Sequence, residues 1–283
     1  MGDTGKAKTR FPTAKCVRWS AATVLLLSAW GCARPLGFVF PFRREPTPTV
    51  ESLVGPLRQR SKPVETVLLR ARVTVHQPGS VGKGTFDASV FVQPPDHFRL
   101  RAFQNVSFLV FDLLADADGL RLHDATEKRY YAATYDTLRK ANSPWGGLTP
   151  SLLIRALTVE QAVLDGVALA RSASVRRRWN TIELRLETAE EHIQVVFDRT
   201  GRQIVGLTHE RATGEKPMRI QYGEMMEVEG VQLPRWAELR IDSSRLRMRL
   251  NVSEYKINKT PPPKVFSLEA PAGQPWLPLE KRM

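Results

Sequence analysis

Apolar and polar residues alternate along most of this chain with a period of two. Val67, Leu69, Ala71, Val73 and Val75 alternate with Leu68, Arg70, Arg72, Thr74 and His76. Phe86, Ala88, Val90 and Val92 follow the same rule, as do Phe98, Leu100 and Ala102 against Arg99 and Arg101. The second half repeats it. Ile182, Leu184 and Leu186 are followed by Ile193, Val195 and Phe197, then Met218, Ile220 and Tyr222, then Leu239 and Ile241, then Leu246, Met248, Leu250 and Val252. Strict alternation predicts strands with one dry face and one wet face, and sheets of that kind are usually antiparallel. Turn signals divide the runs at Pro78-Gly79, Pro94-Pro95-Asp96, Asp118-Gly119, Thr200-Gly201, Thr213-Gly214 and Glu229-Gly230. No strand–helix–strand alternation is present, which argues against a parallel nucleotide-binding sheet.

Three stretches break the rhythm. Phe108 to Leu114 is apolar on both faces apart from Asp112, as expected of a strand covered on both sides. Thr49 to Gln59 predicts a short helix, weakened by Gly55 and Pro56. Between the two strand-rich halves, Thr149 to Leu157 predicts another, with Thr149 as N-cap and Pro150 in the first turn. Leu152, Leu153 and Leu157 form its apolar strip.

The N-terminus adds an address. Lys6, Lys8, Arg10, Lys15 and Arg18 precede the apolar run Ala21–Gly31, the pattern of a secretory signal peptide over residues 1–31. The run is too short to span a bilayer comfortably, which takes about 20 apolar residues. Cys32 directly after Gly31 resembles the lipobox of bacterial lipoproteins, in which that cysteine is acylated once the leader is removed. The alternative is an ordinary signal or an uncut anchor with an incidental cysteine. The only other cysteine, Cys16, lies in the leader, so the exported chain would hold one thiol and no disulfide. Residues 32–48 carry Pro35, Pro41, Pro46 and Pro48 and predict an extended tether. The formal charge is +13, and +9 without the leader. For an exported protein that favours anionic headgroups over nucleic acid, although a solvated basic face explains it equally.

Catalytic chemistry is sparse. His76, His97, His123, His192 and His209 are scattered, with no HExxH or zinc-type pairing. No nucleophile elbow, phosphate-binding loop or dinucleotide fingerprint is present. Asp112, Asp116 and Asp118 lack the remainder of a calcium loop, and Asp116 and Asp118 read as the start of a hairpin turn. The expectation is a protein that is not an enzyme and uses no metal or cofactor.

The dry face therefore becomes the candidate site. A mainly β (α+β) domain is expected over residues 49–273, with residues 274–283 as a tail. Its strongly curved antiparallel sheet would form an unclosed half-barrel with a short helical lid. One lid helix is too small to cover the concave face, and acyl chains are a natural filler at about 0.8 kcal/mol per buried methylene. The expected lining is Val73, Phe86, Val90, Phe98, Leu100, Leu184, Val195, Phe197, Ile220, Leu239, Ile241, Met248 and Leu250, with Leu152, Leu153 and Leu157 on the lid. For any single one of these, plain core packing is the competing reading. The outward comb of Arg70, Arg72, Arg99, Arg101, Arg240, Arg245, Arg247 and Arg249 either meets headgroups or an acidic partner, or keeps the convex face soluble.

In its order of elements and several short motifs, the chain resembles the lipoprotein-localisation (LolA/LolB-like) family of bacterial envelope lipoproteins. The motifs are the strand Val64–Val75, the run Phe86–Arg101 through its Pro-Asp turn into Phe98-Arg99-Leu100-Arg101, and the hairpin of Gly119–His123 and Lys128–Tyr131. Val231–Arg240, Asn251–Asn258 and the Phe266, Pro271, Gly273 ending complete the set. The resemblance implies binding of lipid or of lipoprotein acyl chains, and a part in their transport or localisation. Membrane attachment would run through Cys32. Ala33 after that cysteine resembles an outer-membrane address, facing the periplasm. A second reading is an envelope lipoprotein that docks other envelope proteins without carrying lipid.

Overall fold

The structure, a computed structural model, describes residues 45–76, 84–105, 107–141, 143, 145, 148–212, 217–242 and 245–281. The leader, Cys32 and most of the tether lie outside the described residues, as do the Pro78-Gly79 and Thr213-Gly214 turns. Thr47–Met283 forms one compact unit.

Helix α1 (Val50–Arg60) is the first element of the described residues. Thr49 caps it, its hydroxyl accepting from the Ser52 N–H at 3.2 Å. Gly55 and Pro56 are tolerated because Leu53, Val54 and Leu57 bury one side of the helix, and tertiary packing outweighs weak propensity. Six strands follow: β1 (Val67–His76), β2 (Gly84–Gln93), β3 (His97–Gln104), β4 (Phe108–Ala115), β5 (Leu120–Asp124) and β6 (Arg129–Ala133). Three helices come next: α2 (Tyr135–Lys140), α3 (Pro150–Leu157) and α4 (Val159–Leu169). The second half supplies β7 (Ser172–Arg177), β8 (Thr181–Glu187), β9 (Glu191–Asp198), β10 (Ile204–Arg211), β11 (Met218–Tyr222), β12 (Met225–Val228), β13 (Val231–Pro234), β14 (Trp236–Ile241) and β15 (Leu246–Ile257). A last strand, β16 (Trp276–Pro278), precedes a single 3₁₀ turn.

One large curved sheet, unclosed, carries the fold, with 50% of residues in strands and 17% in helices. Its order is β16-β6-β5-β4-β3-β2-β1-β15-β14-β11-β10-β9-β8-β7, while β12 and β13 form a separate hairpin. The two halves join where β1 pairs antiparallel with β15, from Val67 opposite Ile257 to His76 opposite Arg247. Residues 276–278, placed in a tail on the sequence, instead pair in parallel with β6 and extend the sheet.

This order explains where the helices lie. Strand β6 is near one margin of the sheet and β7 is the other margin. The connection between them must therefore cross the sheet, and it does so as α2, α3 and α4 over the apolar face. Helix α3 packs against β3, α4 against β10, and α1 against both α4 and β7. Gly166 lets α4 come close to the sheet: a Cβ there would stand 3.1 Å from Leu186 and 3.3 Å from Ile193. The sequence led us to expect one small lid helix. The structure corrects this, because α2 and α4 join α3 on a connection whose path only the strand order dictates.

The convex face is polar, and most of its arginines are paired with carboxylates. Arg70 meets Glu254, Arg72 meets Asp87, and both Arg240 and Arg247 meet Glu238. Arg249 lies over the Trp236 ring, 4.6 Å from its centroid. Over β3 and β4 the C-terminal segment covers this face. Arg99 grips Asp112 with two hydrogen bonds, at 2.8 and 2.6 Å, and donates to the carbonyls of Val265 and Ser267. That cover is why Leu114, on the outer face of β4, is fully buried, as the two-sided apolarity of this strand predicted.

Candidate functional site

All thirteen expected lining residues share the concave face. The register shows it directly: Val75 stands opposite Met248, Met248 opposite Leu239, Leu239 opposite Ile220, and Ile220 opposite Leu207. The row continues from Leu207 through Val195 and Leu184 to Val175 on the margin strand. A second row runs Phe86–Val73–Leu250, and Val90 faces Leu100. Eleven of the thirteen are buried: Val73, Val90, Phe98, Leu100, Leu184, Val195, Phe197, Ile220, Leu239, Ile241 and Leu250. Phe86 and Met248 are half-buried against them. The lid residues Leu152, Leu153 and Leu157 are buried in the same cluster. The hollow is thus filled by the protein's own helices, and an acyl chain gains this face only by displacing them.

One end of the hollow is less covered. Val75, Phe86, Val110, Phe111 and Met248 are only partly buried there. Phe86 and Phe111 meet edge to face at 5.2 Å. Phe108, at the start of β4 beside the tight β3–β4 turn, is 71% exposed. Leu169, at the end of α4 where the chain turns into β7, is exposed too. Isolated exposed apolar residues are ordinary. Here they stand at the end of the sheet where the inner row is also least covered.

Sequence reasoning missed a polar cluster under the lid. Arg155 of α3 donates to Glu191 of β9 at 2.6 Å, and the His209 imidazole of β10 bonds the other oxygen of that carboxylate. Burial by itself would raise the Glu191 pKa. The His209 hydrogen bond and the Arg155 charge outweigh it and hold the carboxyl down at about 2. His209 had stood as one of five scattered histidines. Its partner lies 18 residues away and is brought to it only by the β9–β10 register, in which His209 faces Ile193 and Arg211 faces Glu191. A second polar clasp joins Arg60, the last residue of α1, to the buried Glu160 of α4. Deeper in the hollow, burial pushes the Tyr222 and Tyr255 hydroxyls up, with Tyr255 adding to the effect on Tyr222. Tyr255 donates to the Pro234 carbonyl at 2.7 Å, whereas the Tyr222 hydroxyl has no partner among the described residues.

Among the described residues no group of three or more His, Cys, Asp or Glu stands close enough to hold a metal ion. A cleft of about 370 Å³ opens at the Asp118-Gly119 turn, lined by Arg121, Thr134, Thr137 and Glu280 among others. Its Leu120 and Ala133 continue the inner row of Phe98 and Ala115 to the β6 side of the sheet. Asp116 ties that turn by accepting from the N–H groups of Asp118 and Gly119, as its place in a hairpin turn predicted.

The open curved sheet with its helix-covered concave face has counterparts among solved structures. A putative outer membrane lipoprotein-sorting protein domain from Vibrio parahaemolyticus matches it with a TM-score of 0.52 at 10% identity, over 76% of this chain and 95% of that one. A LolA superfamily protein from Nitrosomonas europaea matches at 0.49 and 9% identity, over 78% and 98%. The lipoprotein LppX of Mycobacterium tuberculosis matches at 0.29 and 10%, over 73% and 96%. At such identities the likeness is one of fold. No protein-family model and no curated protein sequence matches this chain.

Proposed function

We propose that this chain is an exported envelope lipoprotein, anchored at the outer membrane through Cys32, that binds acyl chains on its concave face and takes part in lipid or lipoprotein transport. The observation that carries the reading is the inner face itself. Apolar rows run across the sheet, the sheet does not close on itself, and among the described residues short helices cover much of that face, with an apolar opening at one end. Polar clasps hold those helices at Arg155–Glu191 and Arg60–Glu160. Such contacts are separable, so the lid can exchange places with a hydrocarbon of similar bulk. The fold neighbour from Vibrio parahaemolyticus, a putative lipoprotein-sorting domain, supports the same direction.

One observation favours a second reading. The hollow is already packed with the protein's own leucines, which suits a module that docks envelope proteins and carries no lipid.

Mass spectrometry of protein purified from membranes separates the two. The carrier reading expects acyl groups on the Cys32 peptide, lost in Cys32→Ser, and a second, non-covalent acyl lipid. Phe86→Asp with Met248→Asp, both at the half-buried opening, should lower the non-covalent signal at least about tenfold, because each charge opposes hydrocarbon entry. An unchanged lipid signal in that variant, or none in the parent, defeats the carrier reading. An unacylated Cys32 defeats the anchor.

A further inference from the structure

The end of the sheet opposite the apolar opening carries a cationic aromatic tip. The β7–β8 turn contains Arg178 and Trp179, and the Trp179 side chain is 83% exposed. Antiparallel pairing sets the β9–β10 turn beside it, since Thr181 faces Asp198, and this second turn adds Arg199 and Arg202. Arg176 projects from the last turn-proximal positions of β7, on the margin of the sheet.

These cations differ from those of the convex face. Most of the convex arginines form an ion pair with a carboxylate, whereas Arg176, which faces Glu183 across the β7–β8 pair, forms none with it. Arg176 and Arg202 are exposed and have no carboxylate partner among the described residues. The two acids nearby are already engaged. Glu183 is shared by Arg178 and Arg185. Asp198 accepts from the Thr200 hydroxyl and from the backbone N–H groups of Arg202 and Gln203, which hold its carboxyl below the usual range against the raising effect of burial. The tip therefore presents uncompensated positive charge around a protruding indole. Its position agrees with the route of the chain: α1, the first described element after the N-terminal segment, packs against β7.

We infer that this tip is a docking surface for an anionic lipid bilayer, with Trp179 entering the interfacial zone and Arg176 and Arg202 meeting headgroup phosphates. Indole rings favour the boundary between headgroup and hydrocarbon. Arginine close to an anionic surface adds attraction that falls off within a Debye length. Docked in this way, the opposite end, with Phe86, Phe111 and the exposed Phe108, points away from that membrane. The inference does not rest on the acyl-carrier reading, so an empty hollow would leave it standing.

The test uses the Cys32→Ser chain, so that no covalent lipid masks the tip, and phosphatidylcholine vesicles with or without phosphatidylglycerol. The N-terminal leader is present in every variant and cancels from the comparison. Arg176→Gln with Arg202→Gln is expected to lower partitioning onto phosphatidylglycerol vesicles about 30-fold, about fivefold for each cation lost. Trp179→Ala should lower it several-fold. In about 0.5 M salt the arginine difference should shrink, while the indole difference should persist. Circular dichroism melts should match the parent, because all three positions are exposed. Equal sedimentation of parent and variants overturns the inference. So does the same loss on uncharged vesicles for the arginine pair, or a Trp179-dependent capture of a protein with no vesicle effect.

Discussion

Glu191 is the residue on which the inner face most departs from a plain apolar core. Its carboxylate bonds Arg155 of the lid and His209 of the next strand, and is held at about 2 instead of the ordinary 4.5. The sign of the pH dependence follows. The unfolded chain binds the proton more tightly than the folded one, so stability rises with pH between these two values. The contribution is complete above about pH 4.5 and is lost as pH falls through about 2. Glu191→Gln should cost on the order of 2 kcal/mol near neutral pH, and the difference from the parent should vanish near pH 2. Denaturant melts at the two pH values check it, and a constant difference would refute the assignment. The alternation pattern extended to Glu191 and His209 places both on the dry face, yet their partnership was not legible. Period two fixes a face, and the cross-strand partner depends on register and on the bulge between Ile204 and Gly206.

At the scale of elements, Asp112 shows how much a single polar residue in an apolar strand can mean. The sequence singled it out as the exception in the run Phe108–Leu114, and the two-sided burial expected there holds for the second half of β4, from Asp112 onward, while Phe108 is exposed. What covers the outer side was not foreseen. Arg99 links the carboxylate of Asp112 to the carbonyls of Val265 and Ser267, clamping the C-terminal segment over Leu114 and leading it to β16. Asp112→Ala leaves the Arg99 guanidinium, only 12% exposed, without its anion. The expected cost is about 3–5 kcal/mol, read as a shift of the denaturation midpoint. Arg99→Met with Asp112→Leu should recover part of that loss, since an apolar pair of similar volume leaves no buried charge. A single variant as stable as the parent would show that the clamp is dispensable.

At the scale of the whole molecule, the lid and the sheet differ in how they are held. Strands β1, β2 and β15 sit at the centre of the sheet, each hydrogen-bonded on both sides. Helices α3 and α4 are short, and beyond apolar packing they rest on the Arg155–Glu191 and Arg60–Glu160 contacts. Local opening draws on the least supported elements. Amide hydrogen exchange should therefore be faster in α3 and α4 than in β1 and β15 by at least about tenfold. Arg155→Ala should widen that gap without altering the central strands. Equal protection throughout would mean that lid and sheet open as one unit, and displacement of the lid by a ligand would then have no structural basis.

The sequence by itself determined most of the strands, their two faces and the residues that turn inward, but not β7, β10, β12 or β16, because side-chain alternation is a local consequence of backbone geometry and shows only where it is regular. It also marked the capped start of α1, the position but not the capping bond of Thr149 at the start of α3, and the turns at Asp118-Gly119 and Thr200-Gly201, where glycine and short polar side chains act within a few residues. Tertiary structure alone decided what lies against that inner face. β6 and β7 are brought to opposite sides of the sheet by the pairing of β1 with β15, so the segment between them has to cross the hollow, and Leu152, Leu153 and Leu157 fill what the sequence left open for a ligand. The pairings of Glu191 with His209 and Arg155, and of Asp112 with Arg99 and the C-terminal carbonyls, arise in the same way. They join residues far apart in the chain, whose meeting depends on strand order and register, which local pattern does not encode.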